Sequence, residues 1–267
     1  MKLKKYLTLT KAGIMESLQF RLGTFVLAAG NILYLIVVYY LWKAIYASVG
    51  GGTVNGMSFY DTLIYLVLAT ALFNFMEMYT VWEMGRSIQS GKIVLELLKP
   101  MPCRSYLFWS YSGSFVTNFF LTFLPTFIAV TIVTHGAVHL GANLVFFVVS
   151  VIMAISLNYS IDFIVGTICV YTESIWGINI MKQVIVMLLS GAAIPLAFFP
   201  EPFRTITYYL PFQSIYNAPL SILLSAHPEP EKLAATLGTQ LIWCIVMSAA
   251  GKLFWKISLR KITVNGG

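Results

Sequence analysis

Leu144–Val170 reads LVFFVVSVIMAISLNYSIDFIVGTICV, a stretch in which Asp162 carries the only charge. A helix rising ~1.5 Å per residue needs roughly 20 apolar residues to cross a hydrocarbon core of about 30 Å. The stretch therefore reads as a membrane-spanning helix with length to spare for tilt. Working outward, five more stretches meet the same test: Leu22–Trp42, Phe59–Val81 and Tyr106–Thr134 before it, Met181–Phe199 and Leu233–Trp255 after it. A seventh, Phe203–Leu224, is interrupted by Pro211 and Pro219. It reads as a broken or re-entrant hairpin, because non-helical backbone survives at membrane depth only where protein or water shields it.

Composition agrees with that reading. Of 267 residues, 58% are hydrophobic and 10% charged, with mean hydropathy +0.81. Soluble domains are about 45–50% apolar and about 25% charged. So little charge excludes a water-soluble enzyme, and the aromatic and apolar content excludes disorder. The net charge is +7. With six spans, only Lys43, Arg204 and Lys232 of the 17 Lys and Arg residues fall on one side. The rest share the other side with both termini, which the positive-inside rule makes cytoplasmic. A seven-span count would move four C-terminal cations outward and weaken the bias. Residues 1–21 precede the first span without a cleavable-signal pattern. Leu3, Leu7, Ile14 and Leu18 recur there at helical spacing, predicting an amphipathic helix in the cytoplasmic interface.

Buried polar groups are the next signal. An acid inside a membrane is costly and hence informative. Asp162 lies well inside its span with Asn158 one turn away, and no deep Lys or Arg is expected beside it. Glu77 and Asn74 sit near the cytoplasmic end of the second span. A helix–helix hydrogen bond is the favoured role for Asp162, with a substrate contact as the alternative. Cys103, Cys169 and Cys244 are not expected to pair, two of them lying near a reducing compartment. His135 and His139 are spaced for one helix face but lack a third metal ligand, so interfacial polar residues are the simpler reading, and His227 adds no coherent ligand. No nucleotide-binding loop or catalytic constellation occurs, so ATP and Mg are expected on another chain and none on this one.

Two connections differ from ordinary loops. In 83–104, Ile93, Leu97 and Leu98 form an apolar stripe beside Lys92, Glu96 and Lys99, and Pro100 and Pro102 stop the helix. Such a helix held between two spans can transmit motion from a cytoplasmic partner, with an interfacial helix resting on the headgroups as the alternative. In 200–230, Glu201 before Pro202 starts a helix, Pro211 breaks it, and a second short helix runs to Ser225. Tyr209, Pro211 and Phe212 at this break are candidate gate residues, alongside Asn74, Glu77 and Asp162 as path candidates. An aromatic cap anchoring the fold is the alternative.

These pieces resemble the six-span permease subunits of type-2 ABC exporters, in the natural-product and daunorubicin-type efflux branch. The matching segments are Ile88-Gln-Ser-Gly-Lys-Ile93 with Leu97-Leu-Lys-Pro100, then Tyr159-Ser-Ile-Asp-Phe-Ile-Val-Gly166. Ser190-Gly-Ala-Ala-Ile-Pro-Leu-Ala-Phe-Phe-Pro200, Leu210-Pro-Phe212 and Ile262-Thr-Val-Asn-Gly-Gly267 follow in order. The resemblance implies one all-α integral membrane domain over 1–267. It would have six transmembrane helices, an N-terminal interfacial helix and an outer re-entrant hairpin between the fifth and sixth spans. It also implies that Gly91, Ile93, Glu96, Leu97, Leu98 and Pro100 belong to a coupling helix that docks on an ATPase. Glu173 and Trp176 would form a second contact. The implied partners are two ATPase subunits, a second permease (identical or sibling) and membrane lipid, in a bacterial-type plasma membrane, with no nucleic acid. Hydrophobic or amphipathic cargo such as a drug, lipid or peptide is the expected substrate, with polysaccharide as the alternative. An ion-coupled carrier or channel is the competing function.

Overall fold

The structure, a computed structural model, describes residues 2–19, 21–50, 52–134, 138, 141–172, 174–225 and 229–261. The chain begins with α1 (Lys2–Gln19) and α2 (Arg21–Ser48), then a small hairpin of β1 (Thr53–Val54) and β2 (Met57–Ser58). Asn55 and Gly56 make its turn with φ of 50° and 83°, the left-handed pair that a two-residue hairpin requires. Next come α3 (Phe59–Met76), α4 (Thr80–Gln89), the short α5 (Ile93–Leu97), α6 (Cys103–Asn118) and α7 (Leu124–Val133). The second half holds α8 (Ala142–Ile168), α9 (Ile175–Leu189), α10 (Glu201–Tyr209), α11 (Asn217–Leu224) and α12 (Pro230–Ser258).

Among the described residues, five helical stretches are long and apolar enough to cross a membrane: Ala29–Ser48, Phe59–Gln89, Cys103–Val133, Ala142–Ile168 and Pro230–Lys261. The expected fifth span, Met181–Phe199, is instead the 15-residue helix α9, which starts earlier and stops at Leu189. At ~1.5 Å per residue it extends roughly 22 Å. The left-handed Gly191 and then Pro195 prevent its continuation. The expected first span, Leu22–Trp42, lies within α2, whose stretch Ala29–Ser48 is the part long and apolar enough to cross. Its buried stripe is Val38, Trp42 and Tyr46, four residues apart on one helix face.

Local chemistry explains several boundaries. Ser58 and Asp61 form a reciprocal capping box at the start of α3. Tyr46 reaches across to the same corner, donating to the Met57 carbonyl at 2.9 Å and lying 2.7 Å from Thr62 Oγ1. The third stretch is continuous through a π turn at Phe119–Phe123, just ahead of Pro125. Proline has no N–H and its ring crowds the carbonyl four residues back, and the wider turn absorbs that conflict.

The N-terminal helix α1 packs along α6. Gly13 and Gly113 let the two backbones touch: a Cβ on Gly113 would lie 2.3 Å from the Ile14 nitrogen. Thr10 and Ser112 hydroxyls meet at 2.7 Å beside this contact. Small residues at a crossing are the usual means of close helix approach in membranes. The predicted apolar residues Leu7 and Leu18 remain on the exposed side of α1, while Leu3 has no described side chain.

The core runs along α8, which is buried without interruption from Leu157 to Phe163 and packs against α12, α4 and α11. Ser150 Oγ donates to Gln240 Oε1 at 2.8 Å, and Gln240 Nε2 donates to the Ser150 and Ser214 carbonyls at 3.2 and 2.8 Å. One fully buried amide thus joins α8, α12 and the segment after Pro211.

Candidate functional site

The expected second span, Phe59–Val81, is broken. Glu77 leaves the helix with φ −64° and ψ 129°, and α4 resumes at Thr80. A helix end leaves its last carbonyls without partners, and in a membrane these must be satisfied by protein. Two asparagines from other helices do so. Asn158 Nδ2 on α8 donates to the Met76 carbonyl at 3.0 Å, and Asn118 Nδ2 on α6 donates to the Asn74 carbonyl at 3.1 Å. The break is therefore held open by α6 and α8.

A cavity of about 400 Å³ opens beside it. Asn74 and Glu77 line it together with Glu16 of α1, Asn31 of α2, Glu83 of α4 and Tyr111 of α6. Of its three carboxylates, Glu83 is engaged by Arg86. The volume lies in the range of small-molecule sites, about 300–1,000 Å³.

Asp162 is not in that cavity. It is fully buried in α8 and bonded to Lys182 Nζ at 2.9 Å, with the lysine side chain only 11% exposed. The expectation that no deep cation accompanies Asp162 is corrected: the partner is Lys182, counted above with the cytoplasmic-side cations. Because α9 begins at Ile175, the lysine lies mid-helix and faces α8. Asp162 Oδ2 has no hydrogen-bond partner among the described residues. Glu77 lies within the electrostatic reach of both Asp162 and Lys182. The favoured reading of Asp162 as a helix–helix contact agrees with this geometry, with a full charge pair as the contact.

Arg104, at the end of the 83–104 connection, also reaches into the helix bundle. Its guanidinium donates to Ser160 Oγ and the Ser248 carbonyl, both at 2.8 Å, and stacks near Tyr159 and Phe163. The Tyr159 hydroxyl returns a bond to the Arg104 carbonyl. A lone Lys in an apolar helix next in sequence to a helix with a lone Asp was the available signal for the first pair. Nothing in local spacing signals the second.

The coupling candidates lie on and around α5. Gly91 adopts φ +72° between α4 and α5, a conformation that favours glycine. The expected stripe of Ile93, Leu97 and Leu98 is split: Ile93 is buried, whereas Leu95 and Leu98 are 64% and 76% exposed and Leu97 is partly so. Glu96 Oε1 accepts from Ser87 Oγ at 2.8 Å, tying α5 back onto α4. The Pro100 carbonyl accepts from Lys5 Nζ at 3.3 Å, joining this loop to α1. Trp176 is exposed on the first turn of α9 and lines an open cleft of about 640 Å³ with Trp82, Arg86 and Gln89 of α4. Gly85 makes room for Ile175 there, since a Cβ would meet that side chain at 2.8 Å. The structure thus brings Trp176 against α4. Glu173, His135, His139 and His227 lie outside the described residues.

The gate candidates form a third place. Pro211 is buried and Phe212 partly buried, while Tyr209 is 77% exposed. Tyr208, Tyr209 and Gln213 line a groove of about 730 Å³ between α10, α11 and the start of α12. Among the described residues no group of three or more His, Cys, Asp and Glu is placed to hold a metal ion.

Residues 32–266 match the family described as ABC-2 family transporter protein. No curated protein matches the chain. With a match over most of its length and five helices able to cross a bilayer, the chain belongs to the ABC-2 family of transporter proteins, as a multi-pass membrane permease.

Proposed function

We propose that the chain is the membrane-spanning subunit of an ATP-driven exporter of the natural-product and daunorubicin-type branch. It works with a second permease, identical or sibling, and two copies of a separate ATPase that carries ATP and Mg. The observation that carries this reading is the α4–α5 lever. Ile93 anchors α5, the Ser87–Glu96 bond fixes it to α4, and Leu95 and Leu98 stand free for a partner. Above the lever is the break at Glu77–Tyr79, where the long helix has no continuous ladder to resist bending. A push on α5 reaches the break and the 400 Å³ cavity, where cargo of hydrophobic or amphipathic character is held.

The finer topology follows from the same reading. α9 with the Gly191–Phe199 segment makes the fifth of six crossings, and α10–α11 forms the re-entrant hairpin on the outer face. α1 lies in the cytoplasmic interface, its Leu7, Met15 and Leu18 turned to lipid, and both termini are cytoplasmic. The test is co-purification with the ATPase. Leu95→Asp with Leu98→Asp should abolish permease-dependent ATP turnover while the permease still assembles. A solubilised complex without an ATPase, or a double variant with unchanged turnover, overturns the reading. The grouping of Glu77, Asp162 and Lys182 favours a second reading, an ion-coupled carrier. Transport that persists without ATP and collapses with a protonophore would support that second reading.

A further inference from the structure

Two glutamines close to one another illustrate two kinds of buried amide. Gln240 is fully buried and its bonds are short, 2.8 to 3.2 Å, to three groups that need them. Gln213 is only 6% exposed, yet its contacts are stretched. Its Nε2 reaches the Tyr208 carbonyl at 3.5 Å and Ser214 Oγ at 3.3 Å, and its Oε1 receives Asn217 Nδ2 at 3.5 Å. Amide bonds in proteins centre near 2.9–3.0 Å, and a buried polar group held so loosely has bonding capacity left over. Gln213 and Asn217 together line the 730 Å³ groove.

The rest of the lining narrows the chemistry of an occupant. Tyr208 and Tyr209 are 45% and 77% exposed on one wall. Ser221, Thr236 and Thr239 supply hydroxyls from α11 and α12. The only charged lining residues, Glu229 and Lys232, pair with each other at 3.0 Å, so the described lining has no net charge. Hydroxyls and amides both donate and accept, and tyrosine offers a flat apolar face with a polar tip. A neutral ligand bearing many hydroxyls above a flat C–H face matches these features. A peptide would look for a free strand edge, and the described lining, all from helices and their ends, offers none.

We infer that this groove is a binding site for a neutral carbohydrate, in which Tyr208 and Tyr209 stack on a sugar ring and Gln213 and Asn217 bond its hydroxyls. Binding at this groove does not depend on the coupling proposed for α5. The test uses the full-length protein in nanodiscs, prepared without a sugar-headed detergent. Cellotriose, maltotriose and tri-N-acetylchitotriose are added in solution and followed by saturation-transfer NMR. In a second arm, nanodiscs contain monoglucosyl diacylglycerol, and protection of Tyr209 from surface labelling is measured. Saturable binding of a trisaccharide identifies a soluble glycan as the source, and protection in the second arm alone identifies a lipid headgroup. Gln213→Ala should weaken binding about tenfold, as loss of one to two hydrogen bonds implies. Tyr209→Ala, at an exposed position that leaves the fold intact, should weaken it comparably and decides the matter if Gln213→Ala fails to fold. No saturation in either arm, unchanged binding by Tyr209→Ala, or tighter binding of Gly-Ser-Gly than of every sugar overturns the inference. ATPase co-purification in the same preparations reports separately on the exporter reading.

Discussion

Two of the long helical stretches are interrupted, and they resolve the interruption in opposite ways. Between α6 and α7 the conflict at Pro125 is absorbed within the chain segment itself, by a π turn and by Thr122 and Thr126 hydroxyls bonding the carbonyls four residues back. Between α3 and α4 the helix opens fully, and the freed carbonyls of Asn74 and Met76 are met by side chains from α6 and α8. A locally absorbed fault is a matter of one helix. A fault held by two neighbours links their positions, and Glu77 at this second fault lines the 400 Å³ cavity. The difference separates a packing feature from a joint.

Substitutions that break this contrast should rank in order. Lys182→Ala leaves the buried Asp162 carboxyl without its partner, with an expected loss of about 3–5 kcal/mol. It is read as lowered thermal unfolding in lipid nanodiscs, and the Asp162→Leu, Lys182→Leu double variant should recover most of it. A single-variant loss below that of the double would show that the pair is dispensable. Next, Asn158→Leu strands the Met76 carbonyl, for about 1–3 kcal/mol. The same assay, with hydrogen exchange of Glu77–Thr80 as local readout, checks it. Asn118→Leu acts on the other carbonyl at a less buried place, and a smaller loss of ~1 kcal/mol is expected. Smallest is Pro125→Ala, within about 1 kcal/mol of neutral, because the π turn satisfies its own surroundings. Should Pro125→Ala cost more than Asn158→Leu, the joint lies at the wrong helix.

The helix ends within 200–230 were legible because prolines act locally. Glu201-Pro202 and Pro211 set helix ends at residues that the structure reproduces, α10 stopping at Tyr209 and α11 at Leu224. The long spans were legible for the same reason that α9 was not. Apolar runs report burial in lipid, but the run through Met181–Phe199 hides Gly191 and Pro195, whose effect on the backbone outweighs hydropathy. Lys182 could not be read correctly while its helix was taken to begin at Met181. Asn158 was noticed as polar, yet its partner is a backbone carbonyl on another helix, and no side-chain pattern records an orphan carbonyl. The Asn55-Gly56 hairpin, by contrast, carried a plain local signal that hydropathy alone passed over.

The close contact of α1 with α6 sets an order of events in biosynthesis. Thr10 and Ser112 are 102 residues apart in sequence. At a synthesis rate of 5–20 residues per second, the first helix waits roughly 5–20 s for the surface against which Gly13 will lie. During that interval its apolar side chains have no protein to cover them, and the nearest alternative is the bilayer into which the following spans are being delivered.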